Sequence, residues 1–471
     1  MVDALNNFFG TISGFLWGNI YMIVLLGTGI YFSVRLGFPQ VRRFGDSVRL
    51  TFAGFKQKGA AGKDGMSAWQ SFATAIAGQV GTGNIAGPAT AIMAGGPGAI
   101  FWMWVSAFFG MSTIFSEAVA AQKYKVVLKD GTVNGGPAYY ITAAFKGTAG
   151  KVLANAFSIF LIIGFGIAAA LIQGNTISEA FANSFGIDPI IIGVVLAALT
   201  LIIVLGGVKR IVGVITACVP FMAILYILAG LIVIFMNAEQ ILPAFKMIFI
   251  GAFKPQAVAG GMFGIGIKEA MRFGIARGLM SNEAGTGSTP HAHAVAKVKH
   301  PCDQGLVAFM SVFIDTFIIL NITVFIILTS GTYTSGQDGI VLTQLAFDNA
   351  FGSVGGIIIS ICIFFFSFST ILAAYFYGES NVLKLFGRKA MPVYTALIAA
   401  FVVIGSGFTV SLVWSICDVF NGFMVFINII GLWGISNVIV KLWKEYERDP
   451  NVETTLKDIK GEKTSGSSKS M

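Results

Sequence analysis

The chain has 471 residues, of which 55% are hydrophobic and 11% charged, and its mean hydropathy is +0.80. Soluble domains carry about 25% charged residues, so the polar surface that would keep such a chain in water is missing and the apolar remainder must face lipid. The same arithmetic excludes a disulfide-stapled secreted domain, a nucleic-acid binder and a disordered chain, although 31 Lys+Arg against 22 Asp+Glu leave a net charge of +9.

A bilayer-spanning helix needs about 20 mostly apolar residues. Runs of that kind fall at 12–34, 69–93, 97–121, 152–181, 188–206, 210–236, 259–282, 304–330, 354–384, 391–406 and 413–440, which predicts an all-α polytopic membrane protein with about eleven transmembrane helices. No basic region precedes the first run, so it is read as a retained helix and not as a cleaved signal. The stretch 36–66 alternates apolar and cationic residues, among them Phe38, Val41, Phe44, Val48, Phe52 and Phe55, and 238–258 carries Pro243 and Pro255. Both are predicted to lie along the membrane surface. The chain thus divides into a transmembrane region, 1–445, and a Lys/Ser/Gly-rich tail, 446–471, expected to be disordered.

Alternate loops separate by charge. Arg35 to Lys63, Lys123 to Lys151, Lys209 and Arg210, Arg272 to Lys299, Lys384 to Lys389 and the tail together hold 28 of the 31 Lys+Arg. By the positive-inside rule these face the cytoplasm, which places the C-terminus inside, the N-terminus outside and the protein in a plasma membrane.

In the second run, glycines at 78, 81, 83 and 87 surround Gln79, Thr82 and Asn84. Glycine costs about 1 kcal/mol in a helix interior, and a spanning helix can be interrupted only where protein or a cavity satisfies the freed backbone. Either the helix unwinds at Gly81-Thr82-Gly83-Asn84 to face a ligand, or the glycines serve close helix packing. The seventh run is dense in glycine and charge, with Lys268, Glu269, Arg272 and Arg277, and ends in Ser281-Asn282-Glu283-Ala284-Gly285-Thr286-Gly287-Ser288. Lys268, Glu269 and Arg272 are expected to neutralise one another near the outer mouth. Setting the first run aside, 69–236 and 259–440 form two groups of five, each opening with an interrupted helix. Five is odd, so the groups are oppositely oriented, an inverted repeat of the kind that holds a carrier's substrate at the membrane midplane.

Other chemistry is sparse. Cys218, Cys302, Cys362 and Cys417 are scattered and read as small hydrophobes. His291, His293 and His300 share one polar stretch, read as an ordinary cytoplasmic face and not a metal site. Asp315 and Thr316 at mid-span either bear a proton or an ion or form a structural hydrogen-bond node. There is no H-E-x-x-H, G-x-S-x-G or phosphate-binding loop, so the chain is not read as an enzyme, and no organic cofactor, nucleic acid or obligate protein partner is expected.

Gly81-Thr-Gly-Asn-Ile-Ala-Gly87 and Ser281-Asn-Glu-Ala-Gly-Thr-Gly-Ser-Thr-Pro-His-Ala-His-Ala294 resemble the signatures of the alanine/glycine:cation symporters, the sodium/alanine symporter family. The resemblance covers essentially the whole chain, including one extra helix before a ten-helix core similar to the leucine-transporter (LeuT) fold, a 5+5 inverted repeat. It implies symport of alanine or glycine with Na+ as coupling ion. The alternatives are a same-fold carrier for another small solute, a proton-coupled amino-acid permease and, further off, a channel. Carried over by position, Gly78, Gln79, Gly81, Thr82 and Gly83 would hold the substrate carboxylate, and a half-helix N-terminus suits that chemistry. Phe273 and Gly274 match the unwound part of the sixth core helix, with Phe273 closing over the substrate side chain. Phe165, Gln173 and Asn175 on the third core helix contact substrate or hydrogen-bond between helices. The resemblance places sodium among the carbonyls of Ala77, Val80 and Phe366 and the hydroxyls of Ser369 and Thr370; the hydroxyls alternatively bond back to their own helix. It also places Thr370 at the substrate and a second sodium at Asn84. There the chain departs from the pattern, because Gly274 supplies a carbonyl but no hydroxyl.

Overall fold

The computed structural model describes residues 2–17, 19–53, 65–254, 266–407 and 410–450. The expected glycines 260, 261 and 264 and most of the tail lie outside them. Among the described residues, eight helical segments are long and apolar enough to cross a membrane, from Asn7–Arg35 to Ser415–Gly434. The shorter apolar Pro189–Val204 and two interrupted crossings bring the paths to eleven. The protein is a multi-pass, nearly all-helical membrane protein.

Helices α1 (Val2–Leu16) and α2 (Asn19–Arg35) form the extra N-terminal crossing. α1 is tied to the end of the chain: Trp17 Nε1 donates to Asp418 O at 2.8 Å and Ser13 Oγ to Asp418 Oδ2 at 3.1 Å. The short α3 (Phe44–Ala53) buries Ser47 and Thr51. The first core helix is interrupted as α4 (Ala68–Gln79) and α5 (Thr82–Gly95). Its start is fixed locally, because Ser67 Oγ accepts from Gln70 N at 3.1 Å while Gln70 Oε1 accepts from Ser67 N at 3.0 Å, a reciprocal cap. α6 (Ala99–Lys123) follows, and a two-residue hairpin, β1 (Val126–Val127) with β2 (Val133–Asn134), leads to α7 (Pro137–Ala144). α8 (Thr148–Leu161) passes through a π-helical stretch, Ile162–Ile167, into α9 (Ala168–Phe185). α10 (Pro189–Val204) and α11 (Gly207–Met236) complete the first five.

The segment expected on the surface forms α12 (Ile241–Phe253), whose Ala244 and Ile248 are buried in a cluster with Ile100 and Met103 of α6. α13 (Ile267–Asn282) opens the second five, followed by α14 (Pro290–Ala294) and α15 (Pro301–Val312). α15 runs through a second π-helical stretch, Phe313–Leu320, into α16 (Asn321–Ser330). α17 (Gly339–Phe351), which no sequence run announced, packs on α5 and α18 (Val354–Leu385). α19 (Met391–Ser406) and α20 (Val410–Gly434) close the core. The last run was expected to span 413–440, yet helix α20 stops at Gly434 and α21 (Ser436–Arg448) starts afresh. α21 buries Ile439, Leu442, Trp443 and Tyr446 and leaves Lys441 and Glu445 outward, so it lies as an amphipathic helix across position 445.

Candidate functional site

The first interruption lies between Gln79 and Thr82. The N–H of Gly81 turns to Asn84 Oδ1 at 3.2 Å and to Gln79 O at 3.1 Å. An added Cβ on Gly81 would stand 2.5 Å from Thr370 Oγ1 and 3.4 Å from Gln173 Oε1, so the interruption presses against α18 and α9. This is the expected break. The second falls elsewhere than expected. Phe273 and Gly274 sit inside the continuous α13, and a Cβ on Gly274 would meet Ala99 O at 2.1 Å, so that glycine serves the approach of α13 to α6. The chain instead leaves its helix at Glu283 (φ 57°) and turns through Gly285 (φ 88°) and Gly287 (φ 82°). Left-handed backbone is the reason for those two glycines.

The amides of the two turning glycines are satisfied by one side chain, while Ala284 N donates to Asn282 Oδ1 at 3.1 Å. Gly285 N donates to Glu117 Oε2 and Gly287 N to Glu117 Oε1, each at 3.0 Å, and Asn428 Nδ2 donates to Glu117 Oε1 at 2.6 Å. Tyr140 OH in turn donates to Asn428 Oδ1. Glu117 is therefore the bracket that binds the interruption to α6 and α20.

Between the two breaks lies a cavity of about 60 Å³ lined by Gly78, Gln79, Gly81 and Gly83, by Phe165 and Gln173, and by Thr370. Met280, Glu283, Cys417 and Asn421 also line it. Seven of the expected residues are thus brought together. Thr82 is one position away: its Oγ1 donates to Gln173 Oε1 at 2.7 Å and bonds Ser367 Oγ at 2.9 Å. Phe273 faces another cavity, of about 190 Å³, with Gly10, Ser13, Gly14 and Trp17. Asn175 Nδ2 donates to Gly405 O at 3.1 Å, an interhelical bond to α19. Two residues of the small cavity carry buried acceptors, Gln79 Oε1 and Asn421 Oδ1, with no hydrogen-bond partner among the described residues, although Gln79 Nε2 donates to Asn282 O at 2.7 Å. Unsatisfied buried acceptors cost about 1–3 kcal/mol each.

Beside it, Thr370 Oγ1 donates to Ala77 O at 2.7 Å and to Phe366 O at 3.0 Å, and Ser369 Oγ to Phe366 O at 2.9 Å. Val80 is buried next to Gly81. These carbonyls and hydroxyls, without a carboxylate, are a hard-oxygen set of the kind an alkali cation takes. Asn84 belongs to a different node. Its Nδ2 donates to Asp315 Oδ1 at 2.6 Å, and Asp315 also accepts from Ser281 Oγ at 3.0 Å and Thr316 Oγ1 at 2.9 Å.

Larger cavities open at either end. One, of about 490 Å³, includes Thr90, Glu179, Arg277, Asp338 and Asp418. The other, of about 320 Å³ at the basic end, includes Lys209, His291, Glu379 and Arg388. Arg277 therefore belongs with the less basic end, although the charge count took it together with the loop that follows; it lies inside the helix that the run 259–282 predicted. No ion pair joins Lys268, Glu269 and Arg272; Arg272 instead lies over the Phe273 ring at 5.3 Å.

The histidines are not on a solvated face. His291, His293 and His300 are buried, and among the described residues no cluster could hold a metal ion. His291 Nδ1 bonds Ser288 O at 2.8 Å and so carries the proton, while Nε2 accepts from Asn381 Nδ2 at 2.8 Å; only the neutral ring fits. Burial pushes His291 down to about 4 and His293 to about 3. An unfolded histidine titrates near about 6.5, so the unfolded chain binds protons that the folded one refuses. Stability from these rings is complete above about pH 6.5 and falls by up to about 1.4 kcal/mol per pH unit per ring as pH drops towards the folded values. Melting temperature should therefore fall between about pH 7 and pH 5, and the slope should shrink in His291→Asn; an unchanged slope in that variant assigns the titration elsewhere.

A profile of the sodium:alanine symporter family matches residues 2–459. The chain is 41% identical over 442 residues to the sodium/alanine symporter AgcS of Methanococcus maripaludis, covering 93% of this chain and 96% of the relative. It is 39% identical over 450 residues to the probable sodium/glutamine symporter GlnT of Bacillus subtilis, covering 95% and 92%. Among solved structures, a substrate-bound, outward-open Na+-coupled sialic acid symporter matches with a TM-score of 0.53 over 90% of this chain and 85% of that one, at 14% identity, a likeness of fold.

Proposed function

The chain belongs to the sodium:alanine symporter family, and from that premise we propose that it carries alanine and glycine together with sodium, inward across the plasma membrane, by alternating access. The observation that supports this substrate class best is the cavity of about 60 Å³ between the two breaks. At about 10–15 Å³ for each water-sized group, it has room for about four to six, close to glycine or alanine and too little for leucine. The carboxylate is placed at the N-terminus of α5, where first-turn amides have no intrahelical partner and the helix dipole is positive. Phe165 and Met280 supply apolar wall for the methyl group.

Sodium is placed among Ala77 O, Val80 O, Phe366 O and the hydroxyls of Ser369 and Thr370. Today's hydrogen bonds across that set, from Thr370 to Ala77 and Phe366, hold α18 against the first break. An ion there would do the same work more strongly, favouring the state in which the break and α18 are joined. Coupling requires that difference in affinity between states. The less basic end is read as outside, with the N-terminus, and the Lys/Arg-rich end as cytoplasmic.

The test is uptake of labelled alanine into liposomes under an inward sodium gradient against an equal potassium gradient, with glycine and leucine as competitors. Uptake only with sodium, blocked by glycine and not by leucine, is the expected result; equal uptake under both gradients removes sodium coupling. Ser369→Ala combined with Thr370→Ala should raise the sodium concentration for half-maximal uptake at least about tenfold, about 1.4 kcal/mol, and leave the competitor order intact. A changed competitor order with unchanged sodium dependence places the ion elsewhere.

A further inference from the structure

The cavity between the breaks holds a carboxylate that the fold leaves almost alone. Glu283 is 3% exposed. Its one hydrogen bond is to Oε2, from Ser288 Oγ at 2.5 Å. Its charged neighbours are Asp315 and Glu117, both carboxylates, and no cationic side chain of the described residues pairs with it. Those two are otherwise engaged: Asp315 accepts from Asn84, Ser281 and Thr316, and Glu117 from two glycine amides and Asn428. A buried carboxylate without a cation is costly, far more so than a paired one.

The backbone makes the placement more telling. Glu283 has φ 57° and ψ 13°, a left-handed conformation that a glutamate adopts only at a cost of roughly 1–3 kcal/mol. Glycine stands two residues on and would be the inexpensive choice here. The conformation ends α13 and leaves the side chain on the cavity wall. On that same wall are the two buried acceptors without donors, Gln79 Oε1 and Asn421 Oδ1. The wall therefore carries a carboxylate and two idle amide oxygens, beside the N-terminus of α5, where Thr82 N is held by Gln173 Oε1 at 3.3 Å.

We propose that Glu283, assisted by the amide oxygens of Gln79 and Asn421, is the seat of the substrate's ammonium group. This rests on the reading of the substrate as an amino acid and names the half of the site that recognises its positive end. An ammonium brings three donors and one charge, which answers all three idle acceptors and neutralises the buried carboxylate. The pocket then selects for a zwitterion: a hydroxy acid of the same size brings the carboxylate but no cation.

The experiment is equilibrium binding of labelled L-alanine to the purified full-length protein in sodium chloride, with L-lactate as the competitor lacking an ammonium. Glu283→Gln keeps the length and an acceptor for Ser288 Oγ, so a structural role would survive it. It is expected to weaken alanine binding at least about 100-fold and to narrow the preference for alanine over lactate, while sodium alone still raises the melting temperature as in the unmodified protein. Asn421→Ala is expected to weaken alanine about tenfold without changing the sodium response, and it tests the proposal independently if Glu283→Gln does not fold. Alanine affinity within about threefold of the unmodified protein in both variants overturns the proposal. So does loss of the sodium response in Glu283→Gln with alanine binding retained, which would make Glu283 an ion ligand. If the unmodified protein binds no alanine while sodium still stabilises it, the amino-acid reading itself fails, and this proposal with it.

Discussion

Replacing Gly81 with alanine is expected to lower sodium-driven alanine uptake at least about 100-fold, equivalent to about 2.7 kcal/mol, while the protein still inserts and remains monodisperse. The added Cβ would lie 2.5 Å from Thr370 Oγ1 and 3.3 Å from Thr370 Cβ. Neither neighbour can withdraw. Thr370 is held to Ala77 O and Phe366 O, and α18 is buried along most of its length around it. The contact can be relieved only by prising the first break away from α18, which separates the oxygens assigned to sodium and opens the wall of the small cavity. Overpacking of this kind costs about 1–3 kcal/mol in a rigid core. Gly87→Ala is the control, because nothing lies within 4 Å of the added carbon there; its uptake should stay within about twofold. Normal transport by Gly81→Ala would show that the break and Thr370 are not in contact in any state that limits turnover.

Glu117→Ala is expected to cause the largest loss of stability of any single substitution near the site. It strands Gly285 N and Gly287 N in the interior and leaves Asn428 Nδ2 with only Gly285 O at 3.0 Å, at about 1–3 kcal/mol for each orphaned donor. Glu117→Gln should recover only part of this. The glycine amides approach different oxygens of the carboxylate, so whichever way the new amide is turned, its NH2 meets a donor. Melting temperature in detergent should fall by several degrees for Ala and less for Gln, with uptake falling in the same order. A melt within about 1 °C of the unmodified protein for both would mean that water replaces the carboxylate and that the bracket is dispensable.

The two breaks were not equally legible in the sequence, and the difference is instructive. At 78–84 the glycines coincide with Gln79, Thr82 and Asn84, and lipid penalises that combination wherever it cannot be used, so the position could be read directly. In 260–287 glycine and charge are spread over nearly thirty residues, and composition does not say which glycine turns and which packs. Gly274 packs against Ala99 O, whereas Gly285 and Gly287 turn; the discriminating fact is backbone sign, which is set by what docks on the loop. Ser369 and Thr370 entered through the family resemblance, and in the structure their hydroxyls meet Phe366 O and, for Thr370, also Ala77 O. Cys417 and Asn421 were not legible, since one small residue and one amide on the last core helix carry no periodic signal and reach the cavity only through the repeat's closure. Glu283 was visible only as one letter of a motif. The charge count misplaced Arg277 because it took Arg272 to Lys299 as one stretch, although 277 lies inside the predicted run 259–282 and inside α13.

The two large cavities have an electrical consequence. One enters from each end of the molecule, about 490 Å³ and about 320 Å³, and the small cavity with its cation-fitting oxygens lies in the stretch that separates them. Wherever electrolyte fills such cavities, the membrane potential no longer falls evenly across the bilayer and concentrates over the remaining barrier. A charge shifting by a few ångströms there senses most of the field, worth about 2.3 kcal/mol per elementary charge per 100 mV. The cell's resting voltage would then act on this short septum as directly as any ion gradient, and turnover measured under clamp should steepen with polarisation even though, among the described residues, no helix carries a row of gating charges.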